Sequence, residues 1–135
     1  MLSHISLGVR DLERTQAFYD ASLTPLGFVR LWRTADGIGY GPPNPEGNEK
    51  LALFLKTETG VPLAAGPGFH LALVAPNSAA VDAFHAAAVA SGGRDDGGPG
   101  LRPHYGATYY AAFVFDPDGH KLEAKASSFS TCVTA

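Results

Sequence analysis

Apolar and polar positions change period several times along the chain, and the changes divide it into strands, helices and loops. Residues 2–9 alternate, with Ile5, Leu7 and Val9 on one side and His4, Ser6 and Gly8 on the other, as a strand with one covered face requires. Asp11 then supplies a carboxylate to cap a helix start, and Leu12, Thr15, Phe18, Tyr19 and Ser22 or Leu23 recur at helical spacing. Thr24-Pro25 and Gly27 stop that helix. Alternation returns over 28–34, Asp36-Gly37 marks a hairpin turn, and short strands are predicted at 38–41 and 50–56. A stretch with two prolines and three glycines, 57–68, separates this half from the next. The second half predicts a strand at 69–75 and a helix capped by Asn77 or Ser78, with Val81, Phe84, His85, Ala88 and Val89 inward. Gly92-Gly93 ends that helix, a long Gly/Pro loop fills 94–107, and strands at 108–116 and 120–126 flank the Pro117-Asp118-Gly119 turn. Arg94 to Asp96, the counterpart of 28–34, is a poor strand sequence.

The two halves also match residue by residue. His4-Ile5-Ser6-Leu7-Gly8-Val9 is answered 66 positions later by His70-Leu71-Ala72-Leu73-Val74-Ala75. The same offset pairs Asp11 with Asn77, Ala17 with Ala83, Phe18 with Phe84, Ala21 with Ala87 and Gly27 with Gly93. These matches fall on different structural roles at one spacing, which points to a duplicated unit. The expected fold is α+β: two tandem βαβββ modules forming a curved, mostly antiparallel sheet with helices on its convex side. Module one spans 1–58, a linker 59–68, module two 69–126 and a small polar tail 127–135, all within a single domain.

A chain of 135 residues with 45% hydrophobic and 17% charged content suits one ordinary globular domain. A net charge of -3 without a basic run excludes nucleic acid as a partner, since that needs many phosphate-neutralising cations. The lone Cys132 forms no internal disulfide and gives no sign of an oxidising compartment. No apolar run approaches the roughly 18 residues of a membrane span, and a strand opening at Leu2 leaves no room for a signal peptide, so the expected location is the cytoplasm.

Alternation also exposes candidate chemistry. His4 and His70 point away from the apolar stripes of their strands. Glu123 shares a face with Lys121 and Lys125 and opposes Leu122 and Ala124. Before the strand at 108–116, Arg102, His104, Tyr105, Tyr109 and Tyr110 gather in one loop. Each has a plainer reading. A single strand histidine is more often hydrogen-bonded filler, Glu123 has lysines within reach for an ion pair, and an aromatic loop suits a subunit contact. His85 reads as half-buried and structural, His120 as exposed after a turn, and either Trp32 or Arg33 as facing the hollow of the sheet.

Together, His4, the Asp11…Ala17-Phe18-Tyr19 helix, His70 and the closing run Phe115-Asp116-Pro117-Asp118-Gly119-His120-Lys121-Leu122-Glu123 resemble the vicinal oxygen chelate superfamily over residues 2–126. That superfamily includes glyoxalase I, extradiol dioxygenases, fosfomycin-resistance thiol transferases and bleomycin-binding proteins. The resemblance implies a divalent metal (Fe, Mn, Zn or Ni) held by His4, His70 and Glu123. Setting Lys50-Leu51-Ala52 against Lys121-Leu122-Glu123 puts the family's fourth ligand position on Ala52, with Glu49 nearby but off register. Alanine cannot bind metal, which counts against the four-ligand glyoxalase I chemistry. Three protein ligands leave about three coordination positions for a substrate with adjacent oxygens. Glu123, His104 and Tyr105 are then the catalytic candidates, for proton transfer or oxyanion stabilisation. Arg102, Tyr109 and Trp32 are the substrate-binding candidates.

The implied function is a metal-dependent enzyme acting on a small oxygenated substrate by dioxygenase, thiol-transferase or lyase chemistry. The alternative is a metal-free, bleomycin-resistance-like protein that stacks an aromatic drug on Trp32, Tyr105, Tyr109 and Tyr110. The resemblance further implies a homodimer. The two modules close a site either within one chain or with His4 from one subunit and His70 and Glu123 from the other.

Overall fold

The computed structural model of the chain describes residues 1–128, so the expected tail lies, from 129 onward, outside the described residues. The first module comprises β1 (Ile5–Val9), α1 (Leu12–Leu23) with a 3₁₀ turn at Thr24–Leu26, β2 (Val29–Arg33), β3 (Gly37–Gly41) and β4 (Leu51–Leu55). The second comprises β5 (Leu71–Val74), α2 (Ser78–Ala90), β6 (Arg94–Asp95), β7 (Gly100–Leu101), β8 (Tyr110–Phe115) and β9 (Lys121–Ala126). The α+β class and the doubled βαβββ order agree with expectation. The helix starts are made by equivalent residues: the Asp11 side chain accepts from the Arg14 amide and the Asn77 side chain from the Ala80 amide, each satisfying an orphan donor of the first turn.

The strands form two mixed sheets of matching order, β1-β4-β3-β2 and β5-β9-β8-β6, with β7 also on β8. In each, the first strand runs parallel to the last (β1 to β4, β5 to β9) and the other pairs are antiparallel. The stretch expected as a loop over 94–107 instead contributes two-residue β6 and β7, both paired with β8. Between them Gly97 stands at φ 140, a backbone angle that favours glycine, while its carbonyl still accepts from the Phe113 amide of β8 at 2.8 Å. Pairing along β1 begins at Ile5 opposite Leu51, and along β5 at Leu71 opposite Leu122. His4 and His70 therefore each sit one residue before a strand, not inside strands opening at 2 and 69.

One apolar core joins the modules. Phe18, Tyr19 and Leu23 of α1 and Val81, Phe84 and Ala88 of α2 bury against Ile38, Leu51 and Leu53 of one sheet and Val114, Leu122 and Ala124 of the other. Val89 is an exception to the expected inner face of α2 and is exposed. Where α1 meets the end of α2, a Cβ on Gly93 would lie 2.6 Å from Phe18 Cε1 and 2.9 Å from the Phe115 carbonyl, so glycine alone permits the approach.

A polar tie reinforces this junction. Tyr19 Oη donates to Asp116 Oδ2 at 2.6 Å, while Asp116 Oδ1 accepts from the amides of Asp118 and His120. The Arg10 amide and the Arg14 guanidinium both donate to Asp118 Oδ1 at 3.1 Å. Burial raises the Asp116 carboxyl above its ordinary pKa and, with Asp116 beside it, holds the Tyr19 hydroxyl well above its own. His120 is not exposed as the sequence suggested. It is 2% exposed because the turn folds its ring under β1, where Nε2 donates to the Gly8 carbonyl at 2.7 Å.

Candidate functional site

Each helix covers one face of its sheet, and the other faces carry the candidate chemistry. In module two, β9 alternates: Leu122, Ala124 and Ala126 enter the core, while Lys121, Glu123 and Lys125 take the opposite face. Glu123 is nevertheless 2% exposed. Its Oε1 lies 2.9 Å from His70 Nε2, and its Oε2 accepts from Tyr109 Oη at 2.6 Å. A buried carboxylate needs such donors to offset its lost hydration. Its pairing with Lys121 or Lys125 does not occur: Lys121 is 3.0 Å from Asp96 Oδ2, and Lys125 donates to Ser127 Oγ. Burial and the neighbouring Glu123 push the Tyr109 hydroxyl up to about 12, so it stays a proton donor at neutral pH.

Around this triplet the surface is aromatic and cationic. Phe113, the Cα partner of Glu123 on β8, meets His70 edge-on at 5.8 Å. Lys121 Nζ and the Arg102 guanidinium lie 5.1 and 5.5 Å from the Phe113 ring, and Lys125 Nζ 5.0 Å from the Tyr109 ring. Two residue pairs further along β8 and β9, a cavity of about 330 Å³ opens between Phe115 and Lys121 and the 64–69 segment that leads into His70.

His4 and Trp32 stand on the other sheet. His4 is exposed, its Nδ1 is 3.0 Å from Ser3 Oγ, and it shares a depression with Asn48, Glu49 and Lys50. Trp32 Nε1 donates to Glu49 Oε1 at 3.1 Å, and its ring packs 6.0 Å from Phe54. The Trp32 bond, with the Glu49 amide and His4 adding smaller effects, lowers the Glu49 carboxyl pKa. Arg33 is occupied elsewhere, by Gln16 and Glu13 on α1, so Trp32 is the one that takes the open face. Within one chain the structure thus brings His70, Glu123 and Tyr109 together and leaves His4 and Trp32 apart from them. Among the described residues, no three His, Cys, Asp or Glu side chains stand close enough to hold one metal ion.

The 102–110 loop divides its side chains. Tyr105 is exposed, its ring tilted against His104 at 4.1 Å and Tyr109 at 5.2 Å. Arg102 spends donors on the Gly98 and Gly100 carbonyls, which closes its own loop. Tyr110 turns to the helix side and donates to Asp82 of α2, away from any stacking role with Tyr109. His85 bonds Asp95 at 2.8 Å, in keeping with a structural role. The Trp32–Glu49 bond escaped the sequence reading because it joins a strand to a loop; its one trace is the Gly37-Ile38-Gly39 spacing that clears room for the indole.

The register also supports the alignment of the two modules. Ser6 pairs with Ala52 and Ala72 with Glu123, and Ser6 and Ala72 are related by the 66-residue offset. Ala52 therefore holds the position that Glu123 holds in module two.

A doubled βαβββ chain whose two mixed sheets share one core beneath their helices defines the fold class, and comparison with known proteins gives the family. The model of the Glyoxalase/Bleomycin resistance protein/Dioxygenase superfamily matches residues 1–124, and the chain belongs to that superfamily. It is similar to a glyoxalase/bleomycin resistance protein from Albidiferax ferrireducens, at 35% identity and TM-score 0.76 over 93% of this chain and 98% of that one. It is similar to a glyoxalase-related enzyme from Fulvimarina pelagi, at 26% identity and TM-score 0.69 over 100% and 99% of the two chains. A glyoxalase I variant from Zea mays matches at 25% identity and TM-score 0.70, over 93% of this chain and 46% of its own. A comparison with curated proteins returns no match.

Proposed function

We propose that this protein is a divalent-metal-dependent enzyme acting on a small oxygenated substrate, and that its centre forms across a homodimer from His70 and Glu123 of one subunit and the partner's His4. The observation that carries the reading is the placement of Glu123. A carboxylate buried on an otherwise uncovered face, fixed through one oxygen by Tyr109, presents its other oxygen beside an imidazole nitrogen. The donor set fits a metal. Two ligands at right angles, each roughly 2.1 Å from one ion, are about 3.0 Å apart, and the His70 Nε2 to Glu123 Oε1 separation is 2.9 Å. His70 is 41% exposed at its side chain, so a second sheet face can approach it. His4 is the module-one counterpart of His70 and lies exposed on just such a face.

A bound divalent metal would act as a Lewis acid toward adjacent substrate oxygens. The residues of this chain do the rest. Tyr109 orients the carboxylate and keeps its own proton. Lys121, Lys125 and Arg102 set a positive field over Phe113 and Tyr109 that favours an anionic or enolate-like substrate. The cavity beside Lys121 accommodates an apolar arm attached to the oxygenated head. Tyr105 and His104, exposed at the loop tip beside Tyr109, would contact such a ligand.

The test is metal uptake. His70→Ala is expected to abolish tight, stoichiometric binding of Mn(II), Zn(II) or Ni(II), measured by elemental analysis after dialysis, while circular dichroism stays that of wild type. A wild-type protein that takes up no metal, yet binds aromatic drugs tightly, would instead support the metal-free binding protein.

A further inference from the structure

Ala52 leaves module one without the strand carboxylate that module two has, yet module one places another carboxylate on the same face by a different route. Across the first sheet, Ser6, Ala52 and Gly39 lie in register, with Trp32 opposite Gly39. All three positions before Trp32 are small. The indole lies flat over this shelf: a Cβ on Gly39 would be 2.3 Å from Trp32 Nε1 and Cε2, and one on Gly37 3.2 Å from the same ring. The indole N–H then reaches Glu49 Oε1 at 3.1 Å. The loop that carries Glu49 is clamped next to His4, because the Ile5 amide donates to the Lys50 carbonyl at 2.9 Å. Ser3, His4, Asn48, Glu49 and Lys50 line a depression of about 360 Å³.

The two modules thus repeat one device with different parts. In module two a carboxylate is held by Tyr109 Oη and stands beside His70; in module one a carboxylate is held by Trp32 Nε1 and shares a depression with His4. Ser3 Oγ engages His4 Nδ1, leaving Nε2 as the ring nitrogen for a ligand bond, the usual arrangement when a histidine's second nitrogen is fixed by its neighbours.

We propose that Glu49 is the carboxylate of module one and a fourth protein ligand of the metal centre, delivered from the β3–β4 loop where the strand position is alanine. The inference rests on the dimeric centre proposed above. The metal would then be held by His4 and Glu49 of one subunit and by the partner's His70 and the partner's Glu123. Two imidazoles and two carboxylates around a divalent ion make a neutral set that leaves about two positions for substrate oxygens.

Trp32 is the single tryptophan of the chain and touches the proposed ligand, so its emission reports on the site directly. The probe is Co(II), titrated into the full chain and followed by tryptophan quenching and visible absorption. Wild type is expected to show saturable quenching. E49Q keeps an oxygen for the indole N–H and loses the charge; its metal-free emission should match wild type while Co(II) affinity falls by at least about tenfold. W32F, read by visible absorption, should weaken affinity several-fold by freeing the carboxylate. Equal Co(II) affinity in E49Q and wild type, with binding lost in H70A, would overturn the role of Glu49 and leave the dimeric three-ligand centre standing. Failure of wild type to bind Co(II), or binding unaffected by H70A, would overturn both.

Discussion

At the scale of single residues, two tyrosine–carboxylate pairs act at different places. Tyr109 donates to the buried Glu123, so Tyr109→Phe strands Oε2 without a donor and should cost about 1–3 kcal/mol in urea unfolding at neutral pH. The pH dependence has a definite sign. Folding raises Tyr109 from 10.0 to about 12, so the folded state holds this proton more tightly. Its contribution is complete below about pH 10 and is lost as pH rises toward 12. Wild type should therefore lose stability more steeply than Tyr109→Phe across that window; parallel curves would show that the pair does not couple to folding. Tyr19→Phe removes the side-chain donor to Asp116 Oδ2 at the module junction and should cost a similar 1–3 kcal/mol, a fall in Tm of roughly 3–5 °C per kcal/mol for this length. His4, His70 and Glu123 are legible in the sequence because alternation and the repeat assign them to a face, and Tyr109 is legible as part of an aromatic loop. Glu49 is not legible there, because strand register says nothing about how a loop carboxylate meets an indole from another strand.

At the scale of elements, the structure depends on places where a side chain is missing. Gly93 lets Phe18 of α1 approach the end of α2, and an added methyl would also meet the Ala88 and Phe115 carbonyls. Backbone cannot step aside as a side-chain tip can, so Gly93→Ala should destabilise by about 1–3 kcal/mol, seen as a lowered denaturant midpoint with unchanged m-value. Gly39 does the same for Trp32 on the open face. Gly39→Ala should displace the indole, change its emission spectrum and release Glu49, with little effect on the helical core; an unchanged spectrum would mean the ring does not lie on Gly39 in solution. The helices and most strands were legible from period and caps alone. The broken strand after α2 was visible only as a poor match, because the bend at Gly97 is a backbone choice that several loop sequences would allow.

At the scale of the whole molecule, the two modules share a core through their helices, while among the described residues no group of three His, Cys, Asp or Glu joins the faces bearing His4 and His70 within one chain. A centre shared between subunits couples metal to assembly by mass action. Sedimentation should show a dimer that chelator weakens and Zn(II) or Mn(II) strengthens, with His4→Ala removing the metal effect. Metal uptake by a strictly monomeric protein would contradict the shared centre. No helix among the described residues is long and apolar enough to cross a membrane.

The chain by itself determined the duplication, the helix caps, the alternating faces and the family to which they lead, because each depends on spacing between near neighbours or on one constant offset. Only the tertiary structure decided that Glu123 is sealed between His70 and Tyr109, that His120 is buried beneath β1, and that Trp32 holds Glu49. Those outcomes depend on which distant segments meet when the core closes, and no local period encodes that.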